Sequence, residues 1–159
     1  MVVKILIFNL FFILISLSTI SFGKTIFGKA KVIDGDTIHI NKNKIRLHAI
    51  DAPETNQTCN RNSKVWDCGL ESTKFLKELI GNNKIECITQ GKDRYNRFIG
   101  ICYKNNLDLN SEMVLNGWAI AYRYYSMDYV EEEEVAKQQK KGIWSGEFEE
   151  PYLFRKKNK

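Results

Sequence analysis

Residues 25–50 read TIFGKAKVIDGDTIHINKNKIRLHAI. β-Branched and apolar residues fall in three short runs, Ala30 to Ile33, Thr37 to Ile40 and Lys44 to Ile50, separated by Asp34-Gly35 and by Asn41 to Asn43. Runs of this length and composition are strands, and Asp-Gly and Asn-rich breaks are turn chemistry, so the stretch predicts three strands joined by two turns. Downstream, residues 55–67 carry no period and read as a long loop. Ser72, Phe75, Leu76, Leu79 and Ile80 then recur at spacings of three and four, which predicts a helix from about Gly69 to Ile80 closed by Gly81. Lys84 to Gln90 and Arg97 to Tyr103 predict a second pair of strands joined through residues 91–96. Helices follow from about Leu109 to Asn116 and from about Tyr129 to Lys141, ended by Gly117 and Gly142. The last helix has Glu131 to Glu134 in its first turns and Lys137, Lys140 and Lys141 in its last. That order complements the helix dipole, so the acidic run reads as a solvated helix start and not as a metal site. Five strands and three helices make an α+β chain, a small barrel decorated by helices.

A chain of 159 residues with 43% hydrophobic content supports one core and not two. Lys and Arg outnumber Asp and Glu by 24 to 19, which favours a polyanionic partner. Residues 1–23 differ from the rest: Lys4 is their one charge, and an apolar run from Ile5 to Leu17 is interrupted by Asn9 and Ser16. This is the pattern of a signal peptide, with Ser21 and Gly23 as the small residues before a cleavage point, which leaves residues 24–159 as a single domain. The competing reading is an uncleaved membrane anchor through residues 5–22, since the run extended to Phe22 approaches the ~20 residues needed to span a bilayer.

Cys59, Cys68, Cys87 and Cys102 all lie after residue 23, and an exported chain, secreted or periplasmic, meets oxidising conditions. Two disulfides are therefore expected. A hairpin over 84–103 would bring Cys87 near Cys102 and leave Cys59 to Cys68, one of three connectivities that four cysteines allow. Zinc is disfavoured, because no CxxC spacing exists and neither His39 nor His48 lies close in sequence to a cysteine.

Four segments carry candidate chemistry. Val32-Ile33-Asp34-Gly35-Asp36-Thr37 ends a strand in a turn with two carboxylates, although an Asp-Gly pair between strands is more often a plain hairpin turn. Arg46-Leu47-His48-Ala49-Ile50-Asp51-Ala52-Pro53-Glu54 sets an arginine on a strand and two carboxylates at its end, and alone it is a strand entering a turn. Asp93-Arg94-Tyr95-Asn96-Arg97 is a polar turn with a guanidinium opening the next strand; alone, that arginine is a solvated one. Gly142-Ile143-Trp144 closes the last helix and by itself signals packing.

In this order and spacing the four segments resemble the staphylococcal nuclease (thermonuclease) family, from about Ala30 to Trp144. The cysteines place the resemblance with an exported, disulfide-containing branch. The resemblance implies a five-stranded OB-fold barrel with three helices and a calcium-dependent nuclease acting on DNA or RNA. By matching positions it implies that Asp36 and Asp51 hold Ca2+ with the backbone carbonyl of Ala52, and that Asp34 shapes the metal turn. Arg46 and Arg97 would grip the scissile phosphate, Glu54 would be the general base or water-positioning group, and Tyr95 and Tyr122 would pack beside the nucleotide. Calcium suits flexible, oxygen-only shells, and a guanidinium can give a phosphate two parallel hydrogen bonds while staying charged. Asn96 stands where the best-known member has glycine, and asparagine is the residue that most readily replaces it in a left-handed turn. A monomer without a stable protein partner is expected, with membrane contact confined to an uncleaved leader. The alternative is a non-catalytic nucleic-acid-binding module on the same barrel; retention of both aspartates, both arginines and the glutamate argues for the enzyme. A disulfide-stapled adhesive protein accounts for the cysteines and leader but not for the carboxylates and arginines.

Overall fold

Apolar residues at every second position give the first strands one buried face, and a sheet built from such strands must close or be covered. The structure, a computed structural model, describes residues 23–158 and shows closure. The leader reading of residues 1–23 lies, apart from Gly23, outside the described residues. Strand β1 (Thr25–Val32) pairs antiparallel with β2 (Thr37–Ile40), which pairs with β3 (Asn43–Leu47). The two-residue β4 (Ile50–Asp51) leaves the sheet; β5 (Cys59–Arg61) and β6 (Lys64–Trp66) form a hairpin; and helix α1 spans Cys68–Ile80. Strand β7 (Lys84–Lys92) pairs with β1 on one side and with β8 (Phe98–Lys104) on the other. Parallel pairing of β3 with β8 closes five strands into a barrel, to which β9 (Leu107–Asp108) adds a short edge. Helix α2 (Leu109–Leu115), strand β10 (Ile120–Ala121), helix α3 (Val130–Gln138), a 3-10 turn (Gly142–Ser145) and helix α4 (Pro151–Lys157) complete the chain.

The barrel interior holds Ile26, Ile38, Ile40, Ile45, Leu47 and Ile85, and α1 and α2 cover it with Leu76, Ile80, Leu109 and Met113. Each such buried side chain contributes about 1.5–3 kcal/mol against exposure. Cys87 and Cys102 face each other across β7 and β8 and are bonded, and Cys59 is bonded to Cys68, so the expected pairing is the one formed. A smaller cluster of Ile120, Ile143 and the Cys59–Cys68 bridge, flanked by Trp66, Trp144 and Phe148, packs beneath the β5–β6 hairpin. Gly142-Ile143-Trp144 thus packs as its composition suggests.

The structure departs from the sequence reading in four places. The helices number four and not three among the described residues: α4 has only seven residues, too few for a period to show, and opens on Pro151, whose fixed φ suits a first helical position. The loop over 55–67 contains the β5–β6 hairpin, turning through Asn62 and Ser63, both at positive φ. The strand expected over 44–50 breaks after Leu47, because Ala49 takes a left-handed conformation and the chain then pairs Ile50 and Asp51 with β10. Buried Asn110 holds that break, donating to the carbonyls of His48 and Gly100 while accepting from Cys102 N–H. Lastly, Glu133 of the acidic run is buried, not solvated. It accepts hydrogen bonds from the Ala121 N–H, Arg123 and Lys137. Those bonds outweigh its burial and hold its pKa below the ordinary glutamate value, so α3 is bonded to the short sheet that carries Asp51.

Candidate active site

Leaving the barrel at Ala49 carries Asp51 away from β3 and toward the turn between β1 and β2, which bears Asp34 and Asp36. The turn is tight: the Asp36 N–H donates to Asp34 Oδ1 at 3.0 Å, and the N–H groups of Ile33 and Asp34 donate to the Thr37 carbonyl. Gly35 is required there by crowding. A Cβ at that position would lie 2.1 Å from Ser72 Oγ of α1 and 2.7 Å from the Ala52 Cβ. Crowding also selects Gly69 in the first turn of α1, where a Cβ would fall on the Glu54 carbonyl oxygen. Two glycines thus let α1 press the Asp36 turn and the Glu54 segment together.

Arg46, on β3, joins the two aspartates: its guanidinium donates to Asp36 Oδ1 at 2.7 Å and to Asp51 Oδ1 at 2.8 Å. Asp36 Oδ1 also accepts from the Thr37 hydroxyl at 3.0 Å, and Asp36 Oδ2 from the Ala52 N–H at 3.1 Å. Asp51 is fully buried, and a second guanidinium, from Arg155 of α4, reaches its Oδ1 at 2.8 Å and its Oδ2 at 3.0 Å. The same Arg155 donates to Glu54 Oε1 at 3.0 Å. Glu54 is 32% exposed and so faces solvent at the mouth of the cluster. Buried Gln57 fixes its backbone: Gln57 Oε1 accepts from the Glu54 N–H, and Gln57 Nε2 donates to the Glu149 carbonyl just before α4.

The electrostatics follow from four carboxylates and two guanidiniums in one half-buried pocket. Burial, with the neighbouring charge of Asp36, pushes the Asp34 carboxyl up to about 7. Burial and Asp36 also push Asp51 up to about 6, even though Arg46 and Arg155 oppose the shift. Burial works against the charged form of Arg46, but Asp36 and Asp51 outweigh it and hold the guanidinium protonated. Burial disfavours ionisation of these carboxyls first and their mutual repulsion second; four carboxylates against two guanidiniums still leave a formal excess of negative charge that a further cation would offset.

Arg97 is not joined to this cluster. Its Nε donates to Asp93 Oδ2 at 2.8 Å across the turn between β7 and β8, and its bonds outweigh burial to lower the Asp93 pKa. Among the described residues no ion pair links Arg97 to Asp36, Asp51 or Glu54. The backbone nevertheless sets both arginines on one face: Arg46 stands beside Ile99 in the parallel β3–β8 pair, and Arg97 lies two residues before Ile99. Asn96 takes the left-handed conformation expected of it. Tyr95 is exposed, with the guanidiniums of Arg94 and Arg97 at 4.9 and 5.4 Å from its ring centre. Tyr122 is half-buried, and burial and the charge of Asp51 raise its pKa, which puts it beside the cluster. Exposed Tyr124 and Tyr125 extend it, with ring centres 5.1–6.1 Å apart within the trio.

Two residues of this pocket escaped the sequence reading. Gln57 lies in a stretch without a period, and only its burial distinguishes it. Arg155 lies beyond the Gly142-Ile143-Trp144 segment, in a basic tail whose arginine and lysines look alike.

The donor set is oxygen only, which suits a hard divalent cation such as calcium better than a soft one. Among the described residues, no group of three or more His, Cys, Asp or Glu side chains converges in a form ready to hold a metal. Asp36 and Asp51 instead face guanidinium groups.

Residues 44–146 match the family model described as "Staphylococcal nuclease homologue". The chain is similar to an "Uncharacterized endonuclease" of Haemophilus influenzae, with 36% identity over 149 residues covering 89% of this chain and 79% of the relative. It is also similar to "Succinoglycan biosynthesis protein ExoI" of Rhizobium meliloti, with 34% identity over 75% of this chain and 64% of that protein. "Micrococcal nuclease" of Shigella flexneri is 30% identical over 81% of this chain and 79% of its own length.

Proposed function

The chain belongs to the staphylococcal nuclease family, and from that premise we propose that it is a calcium-dependent nuclease hydrolysing phosphodiester bonds of DNA or RNA. The observation that carries this reading is the meeting of Asp36 and Asp51 at the Arg46 guanidinium, with Glu54 joined to Asp51 through Arg155. Two of the most similar relatives carry nuclease names, which supports the reaction class.

Asp36 and Asp51 would hold the cation, with the Ala52 carbonyl as a further oxygen donor. Calcium there would supply charge neutralisation for the phosphate as its negative charge grows. Arg46, protonated at every working pH, binds the phosphate oxygens and stabilises the same charge from the side. Glu54, at the solvent edge, orients water and accepts its proton as the new bond to phosphorus forms and the bond to the leaving sugar oxygen breaks. Arg97 shares a strand face with Arg46 and can reach the phosphate on releasing Asp93, an exchange of one carboxylate-like partner for another. Asp34 holds the Asp36 turn through its bond to the Asp36 N–H. Tyr95 and Tyr122 would give flat surfaces on which bases can stack.

We place the protein outside the cytoplasm, as a single domain from residue 24 acting as a monomer. Two disulfides suit an oxidising compartment, and among the described residues no helix is long and apolar enough to cross a membrane. The test of function is cleavage of single-stranded DNA, double-stranded DNA and RNA by the purified chain, with calcium and with chelator. Cleavage that needs calcium supports the proposal; binding without cleavage supports the non-catalytic module instead, and cleavage indifferent to chelator refutes the metal assignment.

A further inference from the structure

Helix α4 lies after the residues matched by the family model, yet its Arg155 bonds directly to Asp51 and Glu54 of the pocket. Both Asp51 oxygens and one oxygen of Glu54 accept from that single guanidinium, while the other donor to Asp51 is Arg46. No oxygen of Asp51 is left without a guanidinium partner. A divalent cation held through Asp51 must therefore take an oxygen that Arg155 now holds, and positive charges so close also repel each other.

The rest of α4 is weakly attached. Pro151 is buried and Phe154 half-buried, but Tyr152 and Leu153 are exposed, and Arg155 itself is 28% exposed. Gln57 Nε2 pins the carbonyl of Glu149 at the foot of the helix, and the turns beyond it carry the ion pairs of Arg155 and Lys157. The Arg155–Glu54 pair is partly exposed and so weakly held, and Asp51, though buried, keeps its Arg46 partner when Arg155 leaves.

We infer that α4 is a displaceable cationic cap, in which Arg155 occupies the carboxylate oxygens of Asp51 and Glu54 until a divalent cation replaces it. This rests on the metal-dependent reading above. The cap keeps the surplus negative charge of the pocket balanced in the metal-free chain, and it makes metal binding and α4 docking compete. By linkage, whatever weakens one strengthens the other.

The experiment uses the full chain with calcium alone as the probe. Calorimetric titration of wild type and of Arg155→Met, which keeps the apolar stem and removes the charge, should give a dissociation constant about tenfold lower in the variant. Hydrogen exchange on the wild type needs no substitution: calcium should speed exchange of the α4 amides of Phe154 and Asn158, which now donate to Glu150 and Phe154. Calcium binding that is equal or weaker in Arg155→Met, or α4 amides that calcium leaves unchanged or protects, overturns this inference alone. Calcium binding to neither chain overturns the metal reading together with it.

Discussion

Replacing Gly35 with alanine tests the packing that brings the site together. The added methyl carbon would stand 2.1 Å from Ser72 Oγ and 2.7 Å from the Ala52 Cβ, where non-bonded atoms need about 3.5–4.0 Å. Neither neighbour can yield cheaply. Ser72 is fully buried and its hydroxyl donates to the Trp118 carbonyl at 2.7 Å, while the Ala52 N–H is bonded to Asp36 Oδ2. The turn must therefore move outward by roughly 1 Å, carrying Asp36 with it, at an overpacking cost of about 1–3 kcal/mol. A misplacement of about 1 Å at a reacting centre costs on the order of 100-fold in rate. Urea denaturation at neutral pH measures the first quantity, and initial rates of DNA cleavage with calcium measure the second. Ser72→Ala in the same chain removes the nearest clashing atom, so the double variant should recover part of both losses and the cycle should be non-additive by more than about 0.5 kcal/mol. Gly35→Ala that stays within about 0.5 kcal/mol of wild type and retains its activity would refute the reasoning.

Glu133→Gln removes the buried acceptor that ties α3 to β10 and should cost about 1.5–3 kcal/mol, the range for hydrogen bonds to charged groups. Because folding lowers the Glu133 pKa from its ordinary 4.5, its contribution is full above that pH and is lost as pH falls through the folded value. The stability gap between wild type and variant, read by urea midpoints, should narrow on acidification below about pH 4.5; a constant gap contradicts the assignment. Asp34 behaves in the opposite sense: its pKa rises on folding from 3.8 to about 7, so stability declines as pH climbs through that window. Asp34→Asn should accordingly raise the melting temperature of calcium-free protein at pH 7 and lose that advantage by pH 3, whereas a uniform shift would show that ionisation is not the cause. Arg97→Ala should weaken nucleic-acid binding and reduce the slope of log affinity against log salt by about 1. An unchanged slope would mean that Arg97 stays with Asp93 and never meets a phosphate.

Much of the barrel is legible in the short β-branched runs and turn residues along Thr25 to Ile50 and in the two strands around Asp93 to Arg97, because strands and their turns carry local signals. The Cys87–Cys102 pairing follows from the register of those two strands, and the left-handed Asn96 from the family resemblance, which sets asparagine where glycine stands. What stayed hidden depends on contacts between distant segments. Four consecutive glutamates give no sign that Glu133 is the one turned inward, since that is decided by where β10 lies. Gln57 and Arg155 reach across to Glu149 and to Asp51, and no local period records such a contact. Gly35 reads as an ordinary Asp-Gly turn, although what excludes a side chain is the approach of α1. The break at Ala49, which takes Asp51 out of the barrel, is invisible because alanine is rarely left-handed.

Phosphodiester hydrolysis is proposed at the pocket where Asp36 and Asp51 share Arg46, and Asp51 and Glu54 share Arg155. Single-turnover cleavage of DNA by Glu54→Gln, with saturating calcium, tests this most directly, because glutamine keeps the size of the side chain and an acceptor oxygen but cannot take a proton. A rate lower by about 100-fold or more, with the melting temperature and calcium affinity preserved, is the predicted result. Cleavage within a few-fold of wild type would place the chemistry elsewhere.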